Sequence, residues 1–263
     1  MPMDRSNTDD DLATLHERGW VIGRSQLVPA LLVQLRAAME TAYRVCREVQ
    51  VRNGIAEGTD GTVHHLPAIH DAFLSLLDPL PERALLQAFF GGPFILNSFG
   101  GVLNRQGAGS YVGRVHRDLR FFSAGQPMML NMLVLLDDFT AQNGATYLLT
   151  GSHRSDAKPD DQAFVAGAER LLAQAGSVAV FDSNLWHAAG VNQTTADRRA
   201  LTLTFTRPFL KPQLDYARQF GYDAAARFSP DVQQLLGYNS RVPASLDEWY
   251  QPPERRFYKP GQG

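Results

Sequence analysis

The chain has 263 residues, 44% hydrophobic and 20% charged, with Lys+Arg 25 against Asp+Glu 27 and a formal net charge of −2. That length suits one large domain, and the near-neutral balance leaves no general basic field for nucleic acid. The single cysteine, Cys46, cannot pair internally, no apolar run reaches bilayer length, and the amino end MPMDRSNTDDDL lacks the features of a signal peptide.

These observations predict a cytoplasmic protein whose partners are small molecules, with no role for nucleic acid or membrane. Nothing in the sequence speaks to oligomeric state. In chain order, Thr8 followed by three Asp predicts a capped helix start, with Gly19 as its stop and a short strand at Trp20 to Gly23. Pro29 opens a second helix whose apolar residues Leu32, Leu35, Met39, Ala42, Cys46 and Val49 recur at three and four until Gly54. Cys46 falls on that apolar face and reads as a core residue. The stretch TDGTVHHLPAIHD is irregular and reads as a mobile lid, with His65 as its substrate contact.

From Phe94 the pattern changes. FILNSFGGVLN, GSYVGRVHRD, MMLNMLVLLDD, ATYLLT, GSVAVFD, LWHAAGV and RRALTLTFTRP are short β-rich runs between Gly, Asn and Asp turns. They predict a closed antiparallel barrel or double-sheet jelly roll. A helical region follows, with Ser229-Pro230 as N-cap and first helical residue and a capping box at Ser245 and Glu248. The organisation is one domain over 1–263: helical support at 1–93, a β core at 94–208 and a C-terminal helical segment at 209–263.

Within the core, VHRDLRFF (115–122) is ambiguous. H-R-D-L is also the heart of the protein-kinase catalytic loop, but position 123 is Ser where that loop needs Asn. The glycines of GAGSYVG lie directly before the motif, and Asp138-Phe139 is followed by Thr140 instead of Gly. The kinase reading fails on each supporting part. On an extended strand, alternate side chains share a face, so His116 and Asp118 point into one cavity and Arg117 away. Two His and one carboxylate make the facial triad of non-haem iron sites, so a second His is required.

Among the other histidines, His16 lies among charged helical neighbours and His153 follows a Gly-Ser turn. His187, in FDSNLWHAAGVN, is the expected third ligand. It stands eleven residues before Arg198, and a buried Arg can hold a carboxylate bidentately. Arg199 is the rival, because strand alternation lets only one of the two face inward.

HRD, LLDDFTAQNGATYLLTGSHR, FDSNLWHAAGVN and RRALTLTF together resemble the phytanoyl-CoA dioxygenase family of Fe(II)/2-oxoglutarate oxygenases. The resemblance is strong over about Phe94 to Pro208 and looser in the flanks. It implies a mainly β protein with flanking helices around a double-stranded β-helix, a cupin-like jelly roll. It also implies Fe(II) on His116, Asp118 and His187, with the distal carboxylate of 2-oxoglutarate on Arg198. The implied reaction consumes O2, converts 2-oxoglutarate to succinate and CO2, and oxidises a C–H bond. Because Asp118 is a carboxylate, the resemblance points to hydroxylation or a related oxidation instead of halogenation. The chain departs from the family pattern at Thr150, where Pro is usual before Gly-Ser-His, and at Asn131, where Trp is common.

Further expectations attach to single residues. Thr146 and Asn131 are candidate cosubstrate contacts, and Arg114, two residues before His116, is a candidate for an anionic substrate group. Phe121 is expected to line the pocket.

Overall fold

The computed structural model describes residues 5–107 and 111–262. The first four residues and the centre of the 107–113 glycine run lie outside them. Helix α1 (Arg5–Arg18) ends at Gly19, whose φ of 83° reverses the chain into strand β1 (Trp20–Gln26). Thr8 lies inside α1 and does not cap it. Neither Gly nor Pro separates Arg5 from Thr8, so the helix propagates a turn earlier than the acidic run predicts.

Helix α2 (Pro29–Arg52) begins with Pro at its first turn and buries Leu35, Met39 and Ala42. Cys46 is half-buried with its Sγ on the His64 carbonyl, and burial pushes its thiol pKa up, as suits an inert packing residue. The stretch read as a lid is instead a wall. Its strand β2 (Thr62–Val63) pairs antiparallel with β3 (Ile95–Asn104), and Val63, Leu66 and Pro67 are buried. Gly100 and Gly101 in β3 allow this approach: a Cβ on Gly100 would stand 2.6 Å from the Val63 carbonyl, and one on Gly101 2.7 Å from the Met39 methyl.

The remaining strands are β4 (Met129–Leu135), β5 (Tyr147–Leu148), β6 (Glu169–Arg170), β7 (Ser177–Asp182), β8 (His187–Ala188) and β9 (Arg198–Thr206). They form a six-stranded antiparallel sheet in the order β1-β7-β4-β9-β3-β2 and a three-stranded sheet in the order β6-β5-β8. The two sheets make a jelly roll with helices on the outer face of the larger one. Its central strands are buried on both faces, which explains the unbroken apolar run of β4. Leu130, Met132 and Val134 pack toward the helices, while Leu133 and Leu135 pack between the sheets. By the same alternation Asn131 faces the space between the sheets, as do Arg198, Thr202 and Thr204 of β9.

The C-terminal segment packs Val232, Leu235, Leu236 and Tyr238 into the helical side of the core. Ser229 caps Pro230–Leu235 by accepting from the Val232 N–H, and Ser245 accepts from the Glu248 N–H at 3.1 Å. The Glu248 carboxylate reaches Ala244 instead of Ser245, one residue earlier than a capping box requires. No helix among the described residues is long and apolar enough to cross a membrane.

Candidate metal centre

Of GSYVGRVHRD, Gly109 and Ser110 lie outside the described residues, and 111–118 does not form a strand. Tyr111–Gly113 is a 3-10 turn, the chain bends from Asp118 onward, and a single antiparallel bridge joins His116 to His187. The His116 N–H donates to the His187 carbonyl at 3.0 Å, and the His187 N–H donates back at 2.9 Å. One extended pair suffices to put His116 and Asp118 on the same side. Potential ligand atoms of His116, Asp118 and His187 all lie within 4.8 Å of one another.

Second contacts orient each donor. The Nδ1 of His116 meets the Arg114 carbonyl at 2.7 Å, and the Nδ1 of His187 meets the Leu185 carbonyl at 3.0 Å. A carbonyl only accepts, so each Nδ1 carries the proton and each Nε2 keeps its lone pair. Both Nε2 atoms face Asp118, at 3.6 Å from Oδ1 for His116 and 3.7 Å from Oδ2 for His187. Burial pushes the His187 pKa down, favouring the neutral ring a metal requires. Asn131 donates its Nδ2 to Asp118 Oδ2 at 2.8 Å, and Thr204 donates its hydroxyl to Asn131 Oδ1 at 2.9 Å. Asn131 and Thr204 are cross-strand partners on β4 and β9, so the larger sheet fixes the carboxylate.

The donor set fits a divalent transition metal with mixed N/O preference: two imidazole lone pairs, one carboxylate, and outer contacts that fix all three. No Lys or Arg pairs with Asp118 among the described residues.

Arg198 opens β9 and is 2% exposed, with its guanidinium 4.2 Å from the Phe139 ring centroid. Among the described residues it forms no ion pair and its Nε has no hydrogen-bond partner. Burial brings its pKa down to about 10, so it remains a cation at neutral pH. Arg199 faces the other way and is spoken for: its Nε lies 2.9 Å from Asp137 Oδ2, with Glu40 of α2 beside it. The alternation left open in the sequence therefore turns Arg198 inward.

A family model described as phytanoyl-CoA dioxygenase (PhyH) matches residues 15–200. The chain belongs to this family. It is thus a dioxygenase by descent, and its sheets are the cupin-like jelly roll of 2-oxoglutarate oxygenases. An uncharacterized protein of Mycobacterium tuberculosis is 40% identical over 191 residues, covering 72% of this chain and 68% of that protein. Dioxygenase af480 of Aspergillus fumigatus is 24% identical over 247 residues, covering 88% and 77%. The crystal structure of EctD from S. alaskensis with 2-oxoglutarate and 5-hydroxyectoine shares the fold at a TM-score of 0.60 and 18% identity, over 75% of each chain.

In this family member a cavity of about 750 Å³ joins the metal cluster to Arg198 between the sheets. Thr146, Asn131, Arg114 and His65 also line it. Thr146 is buried just before β5, and Asn131 has its amide engaged by Asp118 and Thr204. His65 sits on the β2 wall with a left-handed φ of 57° and its ring edge-on to Tyr216. Phe121 does not line the cavity: it is 52% exposed in the bend after Asp118, where Leu119 is buried and Arg120 lines the cavity. Beyond the single bridge at His116 the chain bends, so no alternation fixes which way Phe121 faces. His153 lies elsewhere, with its Nε2 on the His16 carbonyl at 3.0 Å. Sequence reading missed Thr204 and Phe139. A Thr one strand away from Asn131 carries a signal only once the β4–β9 register is known.

Proposed function

We propose that this protein is an Fe(II)/2-oxoglutarate-dependent oxygenase that hydroxylates or otherwise oxidises a C–H bond of a small metabolite or biosynthetic intermediate. The observation that carries the reading is a buried guanidinium at Arg198 whose Nε lacks a hydrogen-bond partner among the described residues, with Asp137 near but not bonded to it, in the same cavity as a His-Asp-His cluster. A buried cation without a partner is costly unless an anion joins it.

In this reading His116, Asp118 and His187 would hold the iron. When bound, iron supplies the redox coupling by which O2 and 2-oxoglutarate yield succinate and CO2 while a substrate C–H bond is oxidised. Arg198 takes the distal carboxylate of 2-oxoglutarate bidentately, and Thr146 offers it a hydroxyl. Asn131 is a positioning residue that holds Asp118 in its ligating rotamer, with Thr204 holding Asn131. Phe139 and Phe181 keep water from Arg198 and His187 respectively, since their rings cover these groups.

The test begins with anaerobic Fe(II) and 2-oxoglutarate binding, followed by a metabolite panel scored for substrate-stimulated succinate. One Fe(II) per chain, binding of 2-oxoglutarate that depends on Arg198, and succinate coupled to one panel member are expected. Metal and ligand binding with no oxygen-dependent succinate from any substrate would favour the second reading, a cupin-like binding protein without turnover. Absence of Fe(II) binding would overturn both.

A further inference from the structure

The smaller sheet has a second cavity on its outer face. Alternation along β5 turns Thr146 and Leu148 inward, which leaves Tyr147 and its β8 partner Ala188 facing out. There they line a groove of about 610 Å³ with Phe164, Val165 and Val191. Val165 and Val191 stand 72% and 73% exposed among the residues that line it, together with the aromatic rings of Tyr147 and Phe164. Arg170 is held over the Tyr147 ring at 4.7 Å and bonded to the Ala141 carbonyl, so it stiffens one flank.

This groove is continuous with the iron cavity. Arg114, Val115, Lys158 and Ala189 line both. The junction is strongly cationic, because neither Arg114 nor Lys158 has an ion-pair partner among the described residues. Arg117 next door is different, being paired with Asp156 at 2.7 Å. Among the described residues the only carboxylate lining the outer groove is Asp161, against three cations. Arg114 is also two residues from a metal ligand and holds that ligand's ring through its own carbonyl. Roughly 7 Å of extended chain separates the two.

Resting on the oxygenase reading above, we propose that the outer groove is the remote half of the substrate site. The occupant is an amphipathic anion: its carboxylate or phosphate is gripped by Arg114 and Lys158 at the junction. An apolar portion lies along Tyr147, Phe164, Val165 and Val191, and the carbon to be oxidised enters the iron cavity. Charge complementarity selects the anion, and continuity of the two cavities selects the substrate over an unrelated ligand. The 750 Å³ inner cavity alone does not account for an aromatic groove that opens at its cationic mouth.

The probes are decanoate, decyl phosphate and decanol, titrated calorimetrically against the full chain with and without anaerobic Fe(II) and saturating 2-oxoglutarate. Both anions, or one of them, should bind about tenfold tighter than decanol, the order of a charge-assisted contact. The stronger of the two identifies the headgroup. The doubly substituted Arg114→Gln/Lys158→Gln protein should lose that preference, and raised salt should weaken it in the unmodified protein. Val165→Asp/Val191→Asp, at exposed positions that tolerate charge, should weaken anion binding severalfold while Fe(II) binding stays unchanged. Equal binding of decanol, a preference that survives Arg114→Gln/Lys158→Gln, or anion binding left unchanged by Val165→Asp/Val191→Asp would overturn the proposal. Neither Arg114 nor Lys158 is a metal ligand, so the preference is expected in metal-free protein too. Failure of Fe(II) to bind would therefore sink the oxygenase reading and leave this test intact.

Discussion

The two sheets hold their functional groups in opposite ways. In the larger sheet, β9 is registered residue by residue against both β3 and β4, so Arg198, Asn131 and Thr204 stand on a continuous ladder. In the smaller sheet each strand has two residues, and His116 is attached by a single bridge. Yet the smaller side supplies all three candidate metal donors. Long ladders here provide the rigid groups that orient and anchor, while short pairings place the reactive atoms close together. Local hydrogen bonds from imidazole to backbone carbonyl replace the missing ladder.

The sharpest way to break this contrast is to delete a donor on the smaller side. His116→Ala, Asp118→Ala and His187→Ala should each abolish stoichiometric Fe(II) binding, since three ligands cannot lose one and keep the site. Anaerobic iron titration decides it. His153→Ala, whose ring meets the His16 carbonyl and not the cluster, should bind iron like the unmodified protein. Loss of iron in that variant would mean that the cluster depends on packing below the barrel.

On the ladder side the largest effect should come from Arg198→Ala. Removing one partner of a buried charged pair costs about 3–5 kcal/mol, on the order of a 10²- to 10⁴-fold loss in 2-oxoglutarate affinity. Arg199→Ala should leave that affinity within a few fold, because its charge is taken up by Asp137 and Glu40. Fe(II) affinity without cosubstrate should change little in either. The reverse ranking would mean that the inward face of β9 has been misassigned.

How much of this was legible beforehand follows the same division. The long strands β3, β4 and β9 announce themselves by β-rich runs, and α2 by its spacing from Pro29 to Gly54. That His116, Asp118, His187 and Arg198 come together could be read because few histidines compete and their order matches a known pattern. The secondary structure around His116 was not readable, since a one-residue bridge leaves no periodicity to detect. Phe121, expected in the pocket, lies in the bend after Asp118, where no periodicity indicates which side chains face inward. The wall at 62–68 was taken for a lid because its anchorage depends on Gly100 and Gly101, thirty-odd residues further along the chain.

A smaller effect should follow from cutting the connection between the sheets. Asn131→Ala removes the N–H held by Asp118 Oδ2 and leaves the Thr204 hydroxyl without its acceptor. Substitutions of this kind cost about 10- to 100-fold in metal affinity. Fe(II) should still bind at saturating concentration. The distinguishing signature is spectroscopic: Co(II) substituted at the site should show a broadened d–d spectrum in Asn131→Ala if the carboxylate rotamer is freed, and an unchanged one if Asn131 is only packing.

The smallest effect tests a group away from both the ladder and the donors. His153 is 9% exposed, its Nε2–H is satisfied by the His16 carbonyl, and its Nδ1 has no partner. Protonation would place a second N–H in a buried space without an acceptor. Burial holds the pKa below the ordinary 6.5, against the His16 carbonyl and Asp182, which favour the charged ring, while the charges of Arg154 and His16 add a smaller push downward. The unfolded chain therefore binds more protons than the folded one between that depressed pKa and 6.5. The stabilising contribution is complete above that window and is lost as pH falls through it. Urea midpoints measured from pH 7.5 to 5 should decline, and His153→Gln should decline less steeply while remaining folded through its own amide donor. Some slope should survive, because burial depresses His64 and His65 in the same direction. Equal slopes in the two proteins would show that His153 titrates in the folded state as it does in the unfolded chain, and that its buried Nδ1 finds an acceptor when protonated.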